Sequence, residues 1–443
     1  MKIKFSKKIM FILIILIVLI SLSTVSAANI NSSDDIELSQ YNQIELKNNL
    51  DNTELSASSD ENVLSSVYTF TGTTFTELKE NISSLNDGDV LDLTNNIVQD
   101  GNDEITISKS ITINGNGVTI DAQGKTRIFN ITAGDVILKD IIFTNGKSKD
   151  FGGAVYVSSN VDVINCTFIN NTASRQGGAL YVGGPISNCE INSTFINNSA
   201  YQGGAIFFNG ETNNNTIGGY FEGNAAERIG GAICFQTKSS GNLISAEFNN
   251  NRAVNASGGA IFYRNVCENN QFDSVFTNNS AVAGGAIFFY NKTNNNRFNS
   301  DFRFNVANAS GGAIVFYGTT DGNNFTGSFV NNSALGERPG SDMNGNGGAI
   351  TFSDVSSNCL FTCDFVNNTA GEHGGAVNYK KTPHNITFNS NFINNNAIFG
   401  GGINFFESIE NIVTNCTFIN NTASRQGGAL YVGGPISNCE INS

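Results

Sequence analysis

Residues 276–290 read FTNNSAVAGGAIFFY and contain both motifs that decide the fold. The first is Phe-x-x-Asn-x-Ala, and the second is a glycine pair followed by a short apolar run. Successive glycine pairs start 25 to 36 residues apart, and most intervals are 26 or 27 residues. A regular period of this length is typical of a solenoid, in which each repeat is one coil that buries its apolar face against its neighbours. The eleven pairs start at Gly152, Gly177, Gly203, Gly230, Gly258, Gly284, Gly311, Gly347, Gly374, Gly400 and Gly427.

The apolar run after each glycine pair shows which side chains face the core. Ile287 and Phe289 lie two and four positions after the second glycine, and the equivalent positions are apolar in all eleven repeats. Residues two apart on a strand point to the same side. We therefore predict that these two rows stack in the core as ladders of like side chains.

The polar motif residues have predicted structural roles. The glycine pair is expected to allow a positive φ angle or a close approach between coils that a Cβ atom would obstruct. The Asn of Phe-x-x-Asn is expected to form a ladder at a turn, with its amide bonded to the coils above and below. Asn also tolerates the left-handed conformation that such a turn requires.

Alternating FxxN and GGA[ILV] motifs resemble the repeats of polymorphic outer-membrane proteins, and the resemblance covers residues 66–443. With an Ile- and Asn-rich opening, ITISKSITINGNGVTIDAQG (105–124), the layout is also similar to the adhesin-like surface proteins of methanogenic archaea. The resemblance implies an all-β, right-handed parallel β-helix of the pectin-lyase-like kind, with about 27 residues per coil. It also implies exposure on the cell surface and a role in adhesion.

Composition divides the chain into four segments. Residues 1–28 combine a lysine-rich start, a short apolar run and a small-residue cleavage site, which predicts a signal peptide; an uncleaved N-terminal anchor is the alternative. Residues 29–65 are polar and acidic and predict a flexible leader. Residues 66–150 predict an N-terminal cap and the first coils, and residues 151–443 predict the regular β-helix.

The end of the chain repeats an earlier segment. Residues 165–193 recur unchanged at 415–443, where the sequence stops within a coil. Either the native protein is longer or recombination between the copies shortened it. We expect truncation or an incomplete gene model, which leaves an apolar end without a cap.

The cap region has its own predicted elements. The stretch FTELKENISSL (75–85) predicts a short helix that shields the first coil. Six apolar runs predict strands: Val90–Leu93, Ile105–Ile107, Ile111–Ile113, Val118–Ile120, Val136–Leu138 and Ile141–Phe143.

Charge and motif content limit the possible partners. The 443 residues carry a formal net charge of −14, and the predicted signal peptide contains four lysines and no acid, so the mature chain is more acidic still. This argues against nucleic acid, which requires clustered Lys and Arg. No GxGxxG, Walker or C-x-x-C motif is present, so we predict no cofactor and no metal.

The outward side of the strand after each glycine pair is the predicted ligand-binding face. The residue three positions after the second glycine is expected to face solvent, and it is often aromatic. Stacked aromatic side chains suit sugar rings or another protein surface. The alternative is that a loop or lateral packing covers them. The candidate face consists of Tyr156, Tyr181, Phe207, Phe262 and Phe288.

A second candidate is the long loop before Gly347. Twelve residues, LGERPGSDMNGN (335–346), separate Ala334 from this pair, against two to four in the other coils. Insertions in solenoids often lie on the binding face. Glu337, Arg338 and Asp342 are the candidate contacts for a polar ligand or cation, although a functionless insertion is equally compatible.

A polysaccharide lyase or hydrolase is the main alternative to adhesion, because β-helices also carry such enzymes. Their chemistry needs carboxylates a few ångströms apart. In the position before each motif Phe, the acids Glu247, Asp301 and Asp364 lie two coils apart. His373 and His384 are expected to be incidental surface residues. We therefore predict no catalytic residues.

The eight cysteines are expected to be structural. Six occupy repeated positions two or six residues before a motif Phe, which suits small buried side chains. Disulfides are the alternative in an exported protein, with Cys359 and Cys363 as the pair to examine.

These patterns predict a non-enzymatic adhesin-like protein on the cell surface or outside the cell. Its expected partners are surface glycans or proteins of other cells, and a membrane only through the export signal or an uncleaved anchor. A polysaccharide-degrading enzyme is the second interpretation, and a passive surface spacer is the third.

Overall fold

A three-residue strand follows each glycine pair, as the alternating apolar rows predict. The computed structural model describes residues 65–337 and 344–442. In it, Ile287–Phe289 pairs in parallel with Ile314–Phe316, 27 residues further along the chain. Equivalent strands form the glycine sheet: Ile105–Ile107, Phe129–Ile131, Val155–Val157, Leu180–Val182, Ile206–Phe208, Ile233–Phe235, Ile261–Tyr263, Ile287–Phe289, Ile314–Phe316, Ile350–Phe352, Val377–Tyr379, Ile403–Phe405 and Leu430–Val432.

A second parallel sheet, the motif sheet, contains the motif Phe side chains. Its strands in the cap and first coils are Val67–Phe70, Val90–Leu93, Ile97–Val98, Thr112–Asn114, Thr119–Asp121, Val136–Lys139 and Ile142–Thr144. Its strands in the regular coils are Val161–Ile169, Ile186–Ser187, Glu190–Ile196, Thr212–Asn213, Thr216–Glu222, Ser239–Ser240, Leu243–Asn249, Cys267–Glu268, Gln271–Phe272, Val275–Thr277, Thr293–Asn294, Arg297–Arg303, Thr320–Asp321, Asn324–Val330, Ser356–Ser357, Leu360–Val366, His384–Phe388, Asn391–Ile393, Ile409–Asn415, Thr417–Ile419, Ile436–Ser437 and Glu440–Asn442.

The short sheet completes each coil between the motif Asn and the next glycine pair. Its strands also pair in parallel, so the described chain confirms the predicted parallel β-solenoid with about 27 residues per coil. The members are Lys147–Ser148, Thr172–Ala173, Ser199–Gln202, Ala225–Ile229, Arg252–Ala253, Ser280–Ala283, Val306–Ser310, Ser333–Ala334, Thr369–Ala370, Asn396–Phe399 and Thr422–Gln426.

The core consists of ladders of like side chains. Ile287 and Phe289 are fully buried, and the Phe289 ring stacks on Phe316 in the next coil with centroids 4.9 Å apart. The motif rings stack in the same way, with 4.8 Å between the centroids of Phe276 and Phe302. Such offset rings add packing energy to the burial of their apolar area. Both predicted core rows are confirmed except in the last repeat, where Leu430 and Val432 are half-buried.

The N-terminal cap agrees with its predicted elements. The helix Phe75–Ser83 begins at a capping box, in which Thr74 Oγ1 accepts from the Glu77 backbone N–H at 3.3 Å and Glu77 accepts from Thr74 N–H at 3.1 Å. The helix buries Phe75, Leu78 and Ile82. The predicted strands all form, three of them one residue later than expected. The predicted signal peptide and nearly all of the leader lie outside the described residues.

The two glycines of each pair have different roles, and both predicted roles are confirmed. The first glycine always has a positive φ angle, as in Gly284 at 63°. The second has an ordinary φ angle, but the next coil occupies the space that a side chain would need. In Gly285, a Cβ atom would overlap the Gly312 carbonyl oxygen and lie 2.8 Å from the Val306 backbone nitrogen.

The predicted Asn ladder is present, with a correction to its conformation. Asn279 donates from Nδ2 to Asn305 Oδ1 in the next coil at 3.0 Å and to Phe248 O in the previous coil at 2.9 Å. The left-handed conformation belongs to the residue before it, Asn278, with φ of 55°. The ladder consists of Asn171, Asn198, Asn224, Asn251, Asn279, Asn305, Asn332, Asn368, Asn395 and Asn421.

A second Asn ladder was missed from the sequence. Its members lie six residues before a motif Phe, and each accepts the backbone N–H of the preceding member through Oδ1, as Asn242 does from Asn215 at 2.9 Å. Cys189 occupies the same position at one end and donates its backbone N–H to Asn215 Oδ1. The repeated Asn six residues before Phe was the available signal. The members are Asn215, Asn242, Asn270, Asn296 and Asn323.

Phe304 is a strained residue, and replacing it should stabilise the protein. It has a φ of 57° at the position where neighbouring coils have Asn278 and Asn331, and its side chain is 48% exposed. The left-handed conformation costs a residue with a Cβ about 1–2 kcal/mol, but Asn less. We expect Phe304→Asn to raise the free energy of unfolding by about 1 kcal/mol. Urea denaturation measures the free energy of unfolding. Phe304→Ala is the control, because it removes the ring but keeps the strained φ angle. An equal increase in stability in both variants would contradict the explanation.

Candidate binding surface

The predicted aromatic face is largely buried, which corrects the expectation that it faces solvent. The exposed fractions are 6% for Tyr181, 0% for Phe207, 4% for Phe262 and 5% for Phe288. Tyr156 is half-buried. The rings do stack from coil to coil, as between Phe262 and Phe288 at 5.4 Å. They do not form a free surface for a ligand.

The segment before each glycine pair covers this row. The first glycine of each pair has a positive φ angle, and apolar residues just before several of the pairs pack on this outward row. The Phe151 ring stacks on Tyr181 with centroids 4.7 Å apart, and Ile229 and Ala283 belong to the same apolar cluster. The alternative of coverage by a loop is confirmed. Apolar residues just before the glycine pairs, such as Ile229, could have indicated this coverage in the sequence.

The long-loop candidates remain a prediction. Glu337 is exposed, and its backbone N–H donates to Asn308 O at 2.7 Å. Arg338 and Asp342 lie outside the described residues.

The dispersed acids and the histidines do not form one cluster in the described coils. Strand register places Val275 between Glu247 and Asp301, so these two carboxylates belong to non-adjacent coils. His373 is not the surface residue that was expected, because its side chain is only 16% exposed, whereas the His384 side chain is 41% exposed and lies at the surface. His373 Nδ1 lies 3.1 Å from Asn346 Oδ1, and burial lowers its pKa. His384 Nδ1 lies 3.0 Å from Glu410 Oε2.

Two tyrosines on adjacent coils form an exposed aromatic pair that sequence reasoning missed. Tyr290 and Tyr317 are 52% and 45% exposed, and their rings stack with centroids 5.3 Å apart at an angle of 13°. Each tyrosine directly follows the buried Phe that ends its glycine-sheet strand. Comparing the residues at this outward position between coils would have revealed the pair in the sequence. Unlike the buried aromatic face that the sequence predicted, this pair offers stacked aromatic rings that are exposed to solvent.

Polar groups lie on both sides of the tyrosine pair. Strand register places Arg264 one coil before Tyr290 and Ser353 one coil after Tyr317. Arg264 Nε and Ser353 Oγ have no hydrogen-bond partner among the described residues. The Arg264 guanidinium carbon lies 5.8 Å from the centre of the Phe262 ring, a cation–π geometry that holds the charged group against the coil. We call Arg264, Tyr290, Tyr317 and Ser353 the tyrosine platform.

The cysteines are free thiols in the described chain, as expected, and seven of the eight are buried. Cys359 and Cys363 are not bonded to each other, and Cys359 Sγ donates to Ser357 O at 3.2 Å. Burial raises the pKa of the Cys166 and Cys234 thiols to about 12. Such thiols stay protonated and unreactive near neutral pH.

Thiol labelling should therefore distinguish Cys439 from the other cysteines. Cys439 is half-buried, whereas the other seven are buried. We expect a thiol reagent at pH 8 to modify about one thiol per folded chain within minutes, and all eight after denaturation. The variant Cys439→Ser should abolish the fast reaction. Rapid modification of Cys234 in the folded protein would contradict the packing described.

The same thiols should make the protein less stable at high pH. The ordinary pKa of a Cys thiol is 9.0, and burial raises that of Cys166 and Cys234 to about 12. Between these values the unfolded chain releases protons that the folded chain retains, so the free energy of unfolding falls as pH rises above 9. Urea denaturation from pH 8 to 11 measures the slope. The double variant Cys166→Ala/Cys234→Ala should show a smaller slope, and an unchanged slope would count against this origin.

Neither a metal-binding cluster nor a membrane-spanning helix occurs within the described residues. These residues contain no group of three or more His, Cys, Asp or Glu side chains placed to hold a metal ion. They also contain no helix that is both long enough and apolar enough to cross a bilayer.

The two motifs of the chain also occur in a known repeat family. The Chlamydia polymorphic membrane protein (Chlamydia_PMP) repeat matches residues 165–183, 192–209, 273–290 and 415–433. These four segments of the chain are similar to that repeat. Each matched segment includes one Phe-x-x-Asn motif and the glycine pair after it, which confirms the resemblance based on these motifs. The resemblance to surface proteins of methanogenic archaea stays a prediction.

One solved structure of similar shape is a PL6 alginate lyase in complex with a trisaccharide. Its TM-score is 0.42 with 13% sequence identity, over 85% of this chain and 86% of that chain. No curated protein matches the sequence.

Proposed function

We propose that this protein is a cell-surface, adhesin-like protein that binds other cells or extracellular glycans through a face of its solenoid. The polymorphic membrane protein repeats carry this proposal, because they connect the chain to a family of membrane proteins through both of its defining motifs. The solenoid supports it physically. Its ladders hold the coils at a constant spacing, so side chains on the outer faces form regular, rigid arrays.

Export to the cell surface is part of the proposal. Residues 1–28 have the composition of a signal peptide, and the acidic chain disfavours nucleic acid as a partner. Attachment to the membrane would come from this segment if it is retained. The partners proposed are glycans or proteins of other cells.

We further propose that binding does not involve catalysis. A lyase or hydrolase would need carboxylates close together. Glu247 and Asp301 are separated by the coil of Val275, and Ser328 separates Asp301 from Asp364. The Asp301 carboxylate is also engaged, because it accepts from Arg303 and Ser328 at 2.6 Å each. These contacts are consistent with a structural role for the acidic residues that precede the motif Phe.

The experiment that tests the function combines retention with cleavage. The purified protein is incubated with whole cells and with a panel of envelope and plant polysaccharides, and both bound protein and new sugar ends are measured. The expected result is that the protein is retained on cells or polysaccharides and that no new sugar ends appear. Release of new ends would support the enzyme, and neither retention nor release would support a spacer. Protein unfolded by heat is the control for nonspecific adsorption.

A further inference from the structure

We propose that the tyrosine platform binds an acidic polysaccharide, with sugar rings packed against Tyr290 and Tyr317 and a carboxylate held by Arg264. This inference rests on the proposed adhesive function and names a site and a ligand class for it. It depends on three features of the platform: its exposed rings, its unpaired cation and its rigid base.

The exposed rings are not required by the fold. The position that Tyr290 and Tyr317 occupy points away from the core, and in several other coils it is polar, as in Asn209 and Gln236. Two large aromatic side chains at about half exposure leave apolar area in water that a ligand could cover. Parallel rings 5.3 Å apart form a continuous apolar strip along the solenoid axis. Because the two rings cover each other's inner faces, a sugar ring packs its C–H groups against the ring edges and the outer faces, and its hydroxyl groups remain in water.

The cation beside the rings determines the ligand charge. The Arg264 backbone N–H donates to Phe235 O at 2.9 Å, but its side-chain Nε has no hydrogen-bond partner among the described residues, whereas the Lys238 side chain pairs with Glu268 at 2.6 Å. Its Nε–H is a buried donor without a partner, and leaving such a group unpaired has an energetic cost. A carboxylate that draws the guanidinium outward would remove this cost and accept two parallel hydrogen bonds. Lys292, two residues after Tyr290, is also positively charged and exposed.

The base under the platform is rigid. The backbone N–H groups of Tyr290 and Tyr317 donate to Tyr263 O and Phe289 O, each at 2.8 Å. The buried rings Phe289 and Phe316 stack directly below. Little backbone freedom is therefore lost when a ligand binds, which favours affinity. At the far end, Ser353 Oγ is buried and has no hydrogen-bond partner among the described residues.

The test uses the purified full chain and two polymers that differ only in charge. Polygalacturonate is the acidic ligand, and the same polymer with its carboxyl groups reduced to alcohols is the neutral one. We expect Tyr290→Ala/Tyr317→Ala to weaken binding to both polymers about tenfold or more. Arg264→Gln should weaken binding to polygalacturonate about tenfold or more and leave binding to the reduced polymer unchanged.

Phe406→Ala is the matched control, because Phe406 occupies the same position on a later coil and is 56% exposed. It should bind as the parent does. Equal binding by the tyrosine double variant and the parent, or an equal loss in Phe406→Ala, would overturn the site. A parent that adheres to cells but not to polygalacturonate would overturn this inference and leave the proposed function standing. A parent that binds neither cells nor any polysaccharide would overturn both.

Discussion

Replacing Asn279 with alanine is expected to lower the free energy of unfolding by about 4 kcal/mol. Asn279 is fully buried in the middle of the first Asn ladder. Its Oδ1 accepts from Asn251 N at 3.0 Å and Asn251 Nδ2 at 3.1 Å, and its Nδ2 donates to Asn305 Oδ1 and Phe248 O. Alanine removes all four interactions at once.

The size of the effect follows from what is left behind. The Asn251 backbone N–H loses its acceptor, and the Phe248 carbonyl loses its side-chain donor, in a place that water does not reach. Each unsatisfied buried group costs about 1–3 kcal/mol. The neighbouring coils keep the cavity from collapsing, because their own ladders hold the spacing. Urea denaturation followed by circular dichroism measures the loss.

The neighbouring residue provides the control. Asn278 is the same residue type in the same turn, but it is exposed and has a φ of 55°. Asn278→Gly keeps that conformation accessible and should change the free energy of unfolding by no more than about 0.5 kcal/mol. If both variants lose the same stability, the turn rather than the buried ladder is responsible, and our explanation is wrong.

Gly285→Ala is expected to destabilise the protein by about 4 kcal/mol or more, or to prevent folding. The added Cβ would overlap the Gly312 carbonyl oxygen of the next coil and lie 2.8 Å from both Val306 N and Val306 O. These are backbone atoms in a parallel ladder, so no side-chain rotation relieves the clash. The two coils would have to separate, and the sheet hydrogen bonds and stacked rings beside them would lengthen.

A glycine outside the pairs serves as the reference for this variant. Gly101 has no positive φ angle, and only Gln99 Oε1 lies near its added Cβ, at 3.9 Å. Gly101→Ala should be neutral or slightly stabilising, because alanine restricts the unfolded chain. The measurement is the yield of soluble folded protein and its urea midpoint. A Gly285→Ala variant as stable as Gly101→Ala would show that the coils are not in contact at this point.

Much of the core could be predicted from the repeat. Ile287 and Phe289 are buried because alternate residues of a strand face the same side and each coil has a similar neighbour on either side. The Asn ladder was predictable for the same reason, since an amide repeated at one position meets its own copies. The second ladder repeats over fewer coils, and Cys189 and Cys359 replace Asn at its ends, so the pattern was less visible.

The sequence by itself therefore determined the coil, its period and its inward-facing rows, because these depend on local alternation and on contacts between equivalent residues. Only the tertiary structure decided which outward-facing residues are exposed. Phe207 and Tyr290 both point away from the core, yet the first is buried and the second half exposed. The difference lies in the path of the segment before each glycine pair, which turns back over the row of Phe207 and leaves Tyr290 uncovered. That path depends on contacts between different segments of successive coils, which no pattern within one strand encodes.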